Sequence, residues 1–472
     1  MQAAPAEPRT AWADRLVAMV PWMVLAYLAA FAWRFADERL FADSGYYLAR
    51  VVNDGGFRIE HGRWVLAIAQ ALPLAGVKLG LPMKALIMLH SLSNVIWMGA
   101  CIAIAQWALR NRYAAMAIAA LHLVGLTHGL LCPVFELYYG ADLLVLFIAV
   151  HRSTKIGQHW RLPLLVLLGA LVASCHAIGF LLLAGMLALM RAWEQRREAV
   201  LLASVIGLVI LARVLTVSAY EKDSAAFVLQ ARDPQALAAV LSLQNLAGML
   251  RYALRHYPDL LALAAIASVG LLLQRRRLDA VLFIGFIAVM HVLISLKLPG
   301  WYHDRYREQV NFGIAAWTVL VLVLRCGRIA KAPVLLPLMI ALAVCFRMVQ
   351  AERMAPYYAE RTAHIESQIV RAQASGISKG IISAAADFAP AHHGIPLFWS
   401  VPVESLLLSA KRGPAATVSL ITTEDVESGG LHDQLHAFIF RRWDVLPPEW
   451  LDPHWFQPPQ GEYQLIPDSG AP

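Results

Sequence analysis

Two carboxylates, a histidine between apolar runs and one dense basic-aromatic cluster are the residues of this sequence best suited to chemistry. Asp43 lies in FADSGYY, flanked by apolar and aromatic residues rather than by other charges. A carboxylate on such a partly dry surface can take a proton from a hydroxyl as a general base. It belongs to RFADERLFADSGYYLARVVNDGGFRIEHGRW (34–64), where Asp37, Glu38, Asp54 and Glu60 also sit among arginines. Any single one of these acids reads equally well as an ordinary solvated loop residue. Arg63, near the end of that stretch, is a cation available to an anionic substrate. Glu136 follows an apolar run in CPVFELYYGAD (132–142), between Phe135 and Leu137. Acids at membrane depth are costly and tend to be paired or functional. A water-exposed interfacial glutamate is the plain alternative.

The densest cluster is LPGWYHDRYREQ (298–309), which holds Tyr302, His303, Arg305, Tyr306 and Arg307. Guanidinium groups bind phosphate in a bidentate fork, and aromatic faces suit sugar rings or lipid head groups. Anchoring of a loop at the membrane surface by the same residue types is also common. His176, in SCHAIGF, sits at a junction of two short apolar runs, where a lone histidine is more often a hydrogen-bonded packing residue than a catalyst. Arg213, in VILARVLT, lies inside an apolar run and either snorkels outward or faces an internal polar cavity. The templates GxxxxGK[ST], HExxH and GxSxG are absent, so ATP-driven and serine-hydrolase chemistry have no support. The cysteines are scattered, without CxxC or Cys/His spacing, and neither a metal site nor a disulfide framework is expected.

The elements that must position these residues are membrane helices. The chain is 59% hydrophobic and only 15% charged, against about a quarter charged in soluble domains. LVAMVPWMVLAYLAAFAW (16–33) is long enough to cross a hydrocarbon core of about 30 Å. Arg34 follows this run directly and its apolar length exceeds that of a signal peptide, so an uncleaved first span is expected. Further spans suggest themselves at 84–109, 113–131, 138–151, 162–176, 178–192, 199–217, 258–274, 279–297, 310–325 and 332–350, for about eleven in all. The 162–192 stretch divides near His176 into two short crossings.

Charge sets the expected orientation. With the N-terminus inside, RNR (110–112), HRSTKIGQHWR (151–161), RAWEQRRE (191–198), QRRR (274–277) and RCGRIAK (325–331) are all short basic cytoplasmic loops. Segments 34–83, 132–139, 218–257, 298–309 and the tail then face outward. RWVLAIAQALPLAGVKLG (63–80) would flip this pattern if it crossed. Its apolar core contains Pro73 and Gly76 and is too short, so it reads as an interfacial or re-entrant helix. The net charge of +8 is accounted for by such loops, and no basic, aromatic-interleaved soluble segment suggests nucleic-acid binding.

Two units are expected: an all-α membrane domain over residues 1–350 and a small α/β soluble tail over 351–472. In the tail, 352–373 reads as an amphipathic helix continuing the last span. GIISAAADFAP and ATVSLITTED read as strands, VESLLLSAKRG as a helix ending at glycine, and the proline- and aromatic-rich end as irregular but packed.

This arrangement resembles the polytopic glycosyltransferases of the GT-C superfamily over roughly residues 16–350. FADSGYY is similar to the acid of the first outer loop in that superfamily, and PVFELYYGADLL to the second acidic position. SCHAIGF resembles the histidine-containing break of the middle spans, and WYHDRYREQ the late arginine-tyrosine loop. The resemblance implies a sugar donor linked to a polyprenyl phosphate and an unidentified acceptor glycan, lipid or protein. It implies attack with inversion, an active site open to the periplasm or cell exterior, and residence in the cytoplasmic membrane. Asp43 would be the base, with Glu136 the other acid. Arg63, His176, Tyr302, His303, Arg305, Tyr306 and Arg307 would bind substrate, with Arg305 or Arg307 holding the leaving phosphate. Asp-Ser stands here where many members carry paired acids, which leaves metal dependence and the identity of the base open; no cofactor is otherwise expected. A multi-span transporter or flippase, or an O-antigen-ligase-like enzyme working through a late outer loop, are the competing classes.

Overall fold

In a computed structural model the chain is mostly helical. It describes residues 8–191, 200, 203–204, 206–209, 211, 215, 222, 226–230, 232–301, 303–323, 335–383, 395, 397, 399–457 and 459–467. Most of the expected span 199–217, with Arg213, lies outside the described residues, as do the basic segments 192–198 and 325–331.

Among the described residues, four helices are long and apolar enough to cross a bilayer: Asp14–Arg34, Met83–Ala108, Arg277–Lys297 and Leu335–Ala374. The pair Pro234–Val240 and Leu243–His256, bent by 43°, makes a fifth if counted as one broken span. This is fewer than the eleven expected, in part because Arg112–Leu121, His159–Cys175, Ala177–Met190 and Pro258–Leu273 are shorter apolar helices. The first helix shows why the long ones suit lipid. Val17, Val20, Val24, Leu28 and Phe31 recur at helical spacing and are buried, while Met19, Met23 and Trp33 are exposed on other faces. A helix apolar all round has no face that prefers water.

One expectation about helix limits is corrected, and the continuation of the last span into 352–373 holds. The run 113–131 is not one helix: Arg112–Leu121 stops after 10 residues, about half a crossing. Gly125 then adopts φ 77°, and a 3₁₀ turn follows at His128–Leu130. The division at residue 350 falls inside an unbroken helix, Leu335–Ala374, whose 40 residues reach about 60 Å. The helix expected at 352–373 is the continuation of the last span, and the tail grows directly from it.

Other expectations hold. Leu66–Lys78 has 13 residues, about 20 Å, short of a crossing, and packs against Met83–Ala103. The break at His176 separates Gln158–Cys175 from Ala177–Met190, with the histidine extended at φ −164° and ψ 155°. Glu136–Arg152 is the central helix of the bundle, buried at every position from Glu136 to Val150. Gly140 lets it lie close to Gln158–Cys175, since a Cβ there would come within 2.3 Å of Cys175 Sγ.

In the tail, the strands Lys379–Ile382, Ser419–Thr422 and Gln464–Leu465 form a parallel sheet with the first in the middle. Val401–Ala410 is the expected helix. The hairpin of Phe438–Arg441 and Asp444–Leu446 was not foreseen. The tail clasps the helix Asp43–Asp54. The Arg441 guanidinium lies 3.9 Å from the Tyr46 ring centre, and Arg50 lies 4.7 Å from that of Trp450. Asn53 donates to the Trp450 carbonyl at 3.0 Å and accepts from the Asp452 N–H at 2.9 Å.

Candidate active site

Asp43 opens the helix Asp43–Asp54, and the turn before it is tight. Ala42 holds φ 57° and ψ −127°, a backbone region that a residue with a Cβ occupies only under constraint. Gly45 has no room for a side chain, because a Cβ would sit 2.3 Å from the Leu40 carbonyl oxygen. The constraint comes partly from the tail. Glu404 accepts from the Ala42 N–H at 3.4 Å and from the Ser400 hydroxyl, and is ion-paired in the interior with Arg361.

The Asp43 carboxylate is ion-paired with Arg305, the first residue of the helix Arg305–Val321. Asp304 caps that helix by accepting from the Arg307 N–H at 2.7 Å. Arg305 also reaches Cys132 Sγ at 3.6 Å, and Ser44 accepts from the Val134 N–H at 3.2 Å. The 132–134 segment is thereby held between the first loop and the late one. Glu136, buried at the start of the central helix, is paired with Arg63. Tyr47 reports the convergence: burial, then the charges of Glu136, Glu60 and Asp43, push its phenol well above the ordinary value.

The other expected site residues divide by position. His303 stacks on His256 at 4.1 Å between ring centres and meets His128 at 4.7 Å. Burial and the cationic surroundings of His128, His256, Arg347 and Arg255 depress its pKa to about 2, so it is neutral at working pH. Arg307 is fully buried and donates to the carbonyls of Leu298 and Gly300, with the Trp301 ring centre 4.9 Å away. It ties the loop together from inside. Tyr306 is exposed under the Lys297 ammonium, 5.4 Å from its ring centre. His176 caps its helix, its Nδ1 accepting from the Ile178 N–H at 3.1 Å, and its ring lies 5.7 Å from Phe135. Tyr302 lies outside the described residues.

Several buried polar groups around the site were not singled out from the sequence. Glu308 accepts from the N–H groups of Thr127, His128 and Gly129 at 2.8, 3.1 and 2.5 Å, fixing the start of the 3₁₀ turn His128–Leu130. Arg347 grips Asp259 with two hydrogen bonds, at 2.7 and 2.5 Å, and donates to Thr127 Oγ1 at 3.1 Å. His128 Nδ1 lies 2.9 Å from the Tyr358 hydroxyl. The available signal was a charge inside or at the edge of an apolar run, which Arg347 and Asp259 both carry. Among the described residues, no group of three or more His, Cys, Asp and Glu side chains is arranged to hold a metal ion. Comparison with protein families, with curated proteins and with solved structures finds no match to this chain.

Proposed function

We propose that the chain is a multi-pass membrane glycosyltransferase that moves a sugar from a polyprenyl-phosphate donor to an acceptor hydroxyl on the extracytoplasmic side, with inversion. The observation that carries this reading is the Asp43–Arg305 ion pair. It joins the acid of the first loop to the arginine of the late loop, the two segments on which the resemblance to the GT-C superfamily rests. Asp43 is the general base toward the acceptor hydroxyl. Arg305 holds the carboxylate in place, and when donor binds it shares its charge with the phosphate as it departs. Arg63 fixes Glu136 as the second acid of the same region.

The membrane topology belongs to the same proposal: about eleven spans, N-terminus inside, tail outside. Contacts support it. The first loop, the 132–136 segment, the 298–309 loop and the tail meet one another through Asp43–Arg305, Arg305–Cys132 and Glu404–Ala42. Segments in contact lie on one side of a membrane, and these are segments the basic loops assign to the outside.

The test is a side-by-side sugar-transfer assay of Asp43→Asn and Glu136→Gln with polyprenyl-phosphate sugars. Asp43→Asn keeps the volume and should cost about 100- to 10,000-fold in turnover with donor binding little changed. An active Asp43→Asn protein removes Asp43 as the base.

A further inference from the structure

A cavity of about 320 Å³ opens beside the late loop, lined chiefly by Arg255, His256, Trp301, His303, Arg347 and Gln350. It is at the small end of the range for ligand pockets. None of its lining residues is acidic. Arg347 is committed to Asp259, and also donates to the His256 carbonyl at 3.0 Å, so it is a rigid wall. Arg255 is different. It is exposed at the end of the helix Leu243–His256, and among the described residues no carboxylate pairs with it. The rest of the lining sets Thr127, Gln350 and the two histidines beside an apolar side made of Trp301, Phe346 and Met354. Phe346, Arg347, Gln350 and Met354 all lie on Leu335–Ala374, where that helix passes from the apolar run 335–345 to the charged stretch 352–373. A cation at the mouth and an apolar wall at that level suit a ligand with a phosphate head and a hydrocarbon tail.

We propose that this cavity seats the phosphate of an isoprenoid lipid, held by Arg255 and His303, with Trp301, Phe346 and Met354 against its first isoprene unit. The seat deepens the transferase reading, on which the choice of a lipid phosphate rests. It also answers a difficulty in that reading, since Arg305 and Arg63 are each already paired with a carboxylate. The neutral His303 ring, kept so first by burial and then by the arginines beside it, is a hydrogen-bonding partner that adds no charge of its own. A chain of contacts links the seat to the first loop. His303 touches His128, His128 is hydrogen-bonded to Tyr358, and Tyr358 meets Phe41 edge-on at 5.0 Å, two residues before Asp43.

Binding to the full chain in lipid nanodiscs tests the seat, with farnesyl phosphate, inorganic phosphate and farnesol as probes and Trp fluorescence as readout. Farnesyl phosphate should bind, with inorganic phosphate weaker and farnesol weaker still. Arg255→Gln and His303→Gln should each weaken farnesyl phosphate by about 10- to 100-fold, the loss of one charge-assisted or buried hydrogen bond. Arg255 is exposed, so its variant tests the seat even if His303→Gln fails to fold. Arg251→Gln, one turn away on the same helix, should leave binding unchanged. Binding by Arg255→Gln equal to the parent chain overturns the seat, and inorganic phosphate binding as tightly as farnesyl phosphate overturns the lipid. Arg255-dependent binding without any sugar transfer would overturn the transferase reading and keep the seat. Transfer that needs Asp43 but is indifferent to Arg255 would do the reverse.

Discussion

Asp43 and His303 sit in opposite surroundings in this site. Asp43 keeps contact with water, its side chain 39% exposed, and faces the Arg305 guanidinium. His303 is packed against other rings beneath two arginines, which favours its neutral form. The second arrangement has a consequence for stability. The unfolded histidine takes up a proton near pH 6.5, whereas the folded one resists protonation down to about 2. Between those values the unfolded chain binds more protons, so the contribution of His303 is full above pH 6.5 and is lost as the pH falls. Denaturation midpoints at pH 7.5 and 4.5 should therefore differ less in His303→Gln than in the parent chain. Equal differences would mean that His303 is not held neutral.

At the scale of elements, the helix Asp43–Asp54 is the one on which the site depends, and the tail holds it. Its hydrogen-bonding start at Ala42, its aromatic residue Tyr46 and its end at Asn53 each touch the tail. The central tie is the interior pair of Glu404 and Arg361, with the second bond of the fork at 3.2 Å. Removing one partner of a buried pair costs about 3–5 kcal/mol, because the other is left without its countercharge. Glu404→Gln should lower thermal stability on that order. It should also loosen Ala42 out of its constrained conformation, which hydrogen exchange over residues 40–50 would register as faster exchange. Unchanged exchange there would show that the tail does not position Asp43.

For the whole molecule, the question is which side of a membrane each segment occupies. The meeting of the first loop, the 132–136 segment, the late loop and the tail requires an even number of crossings between any two of them. Reporter fusions give the direct measurement: alkaline phosphatase or GFP joined after Ile329 should report inside, and after Ala351 outside. The opposite pair of signals would sink the proposed orientation while leaving the contacts as they are.

Much of this was legible from sequence because it depends on local pattern. The long apolar runs, the break at His176, the short helix before Lys78 and the candidate acids are all set by residue type and spacing, through helix rise and the cost of burying charge. Asp43, Glu136, Arg63, His303 and Arg305 could be named without knowing that they meet. What tertiary structure alone decided is pairing and depth. Whether Arg305 or Arg307 faced the site depended on how the 298–309 loop folds, and that loop turns Arg307 inward onto its own carbonyls. The helix expected over 113–131 stops at Leu121, Gly125 turns the chain, and Glu308, far along the chain, takes the N–H groups of residues 127–129. The tail could be read as a separate unit, yet Glu404, which accepts from the Ala42 N–H, and the contacts of Phe440 and Arg441 with the Tyr46 ring bind it to the first loop. Periodicity carries no information on such partners, since a hydrogen bond or ion pair between distant residues is fixed only when packing brings them within about 3 Å.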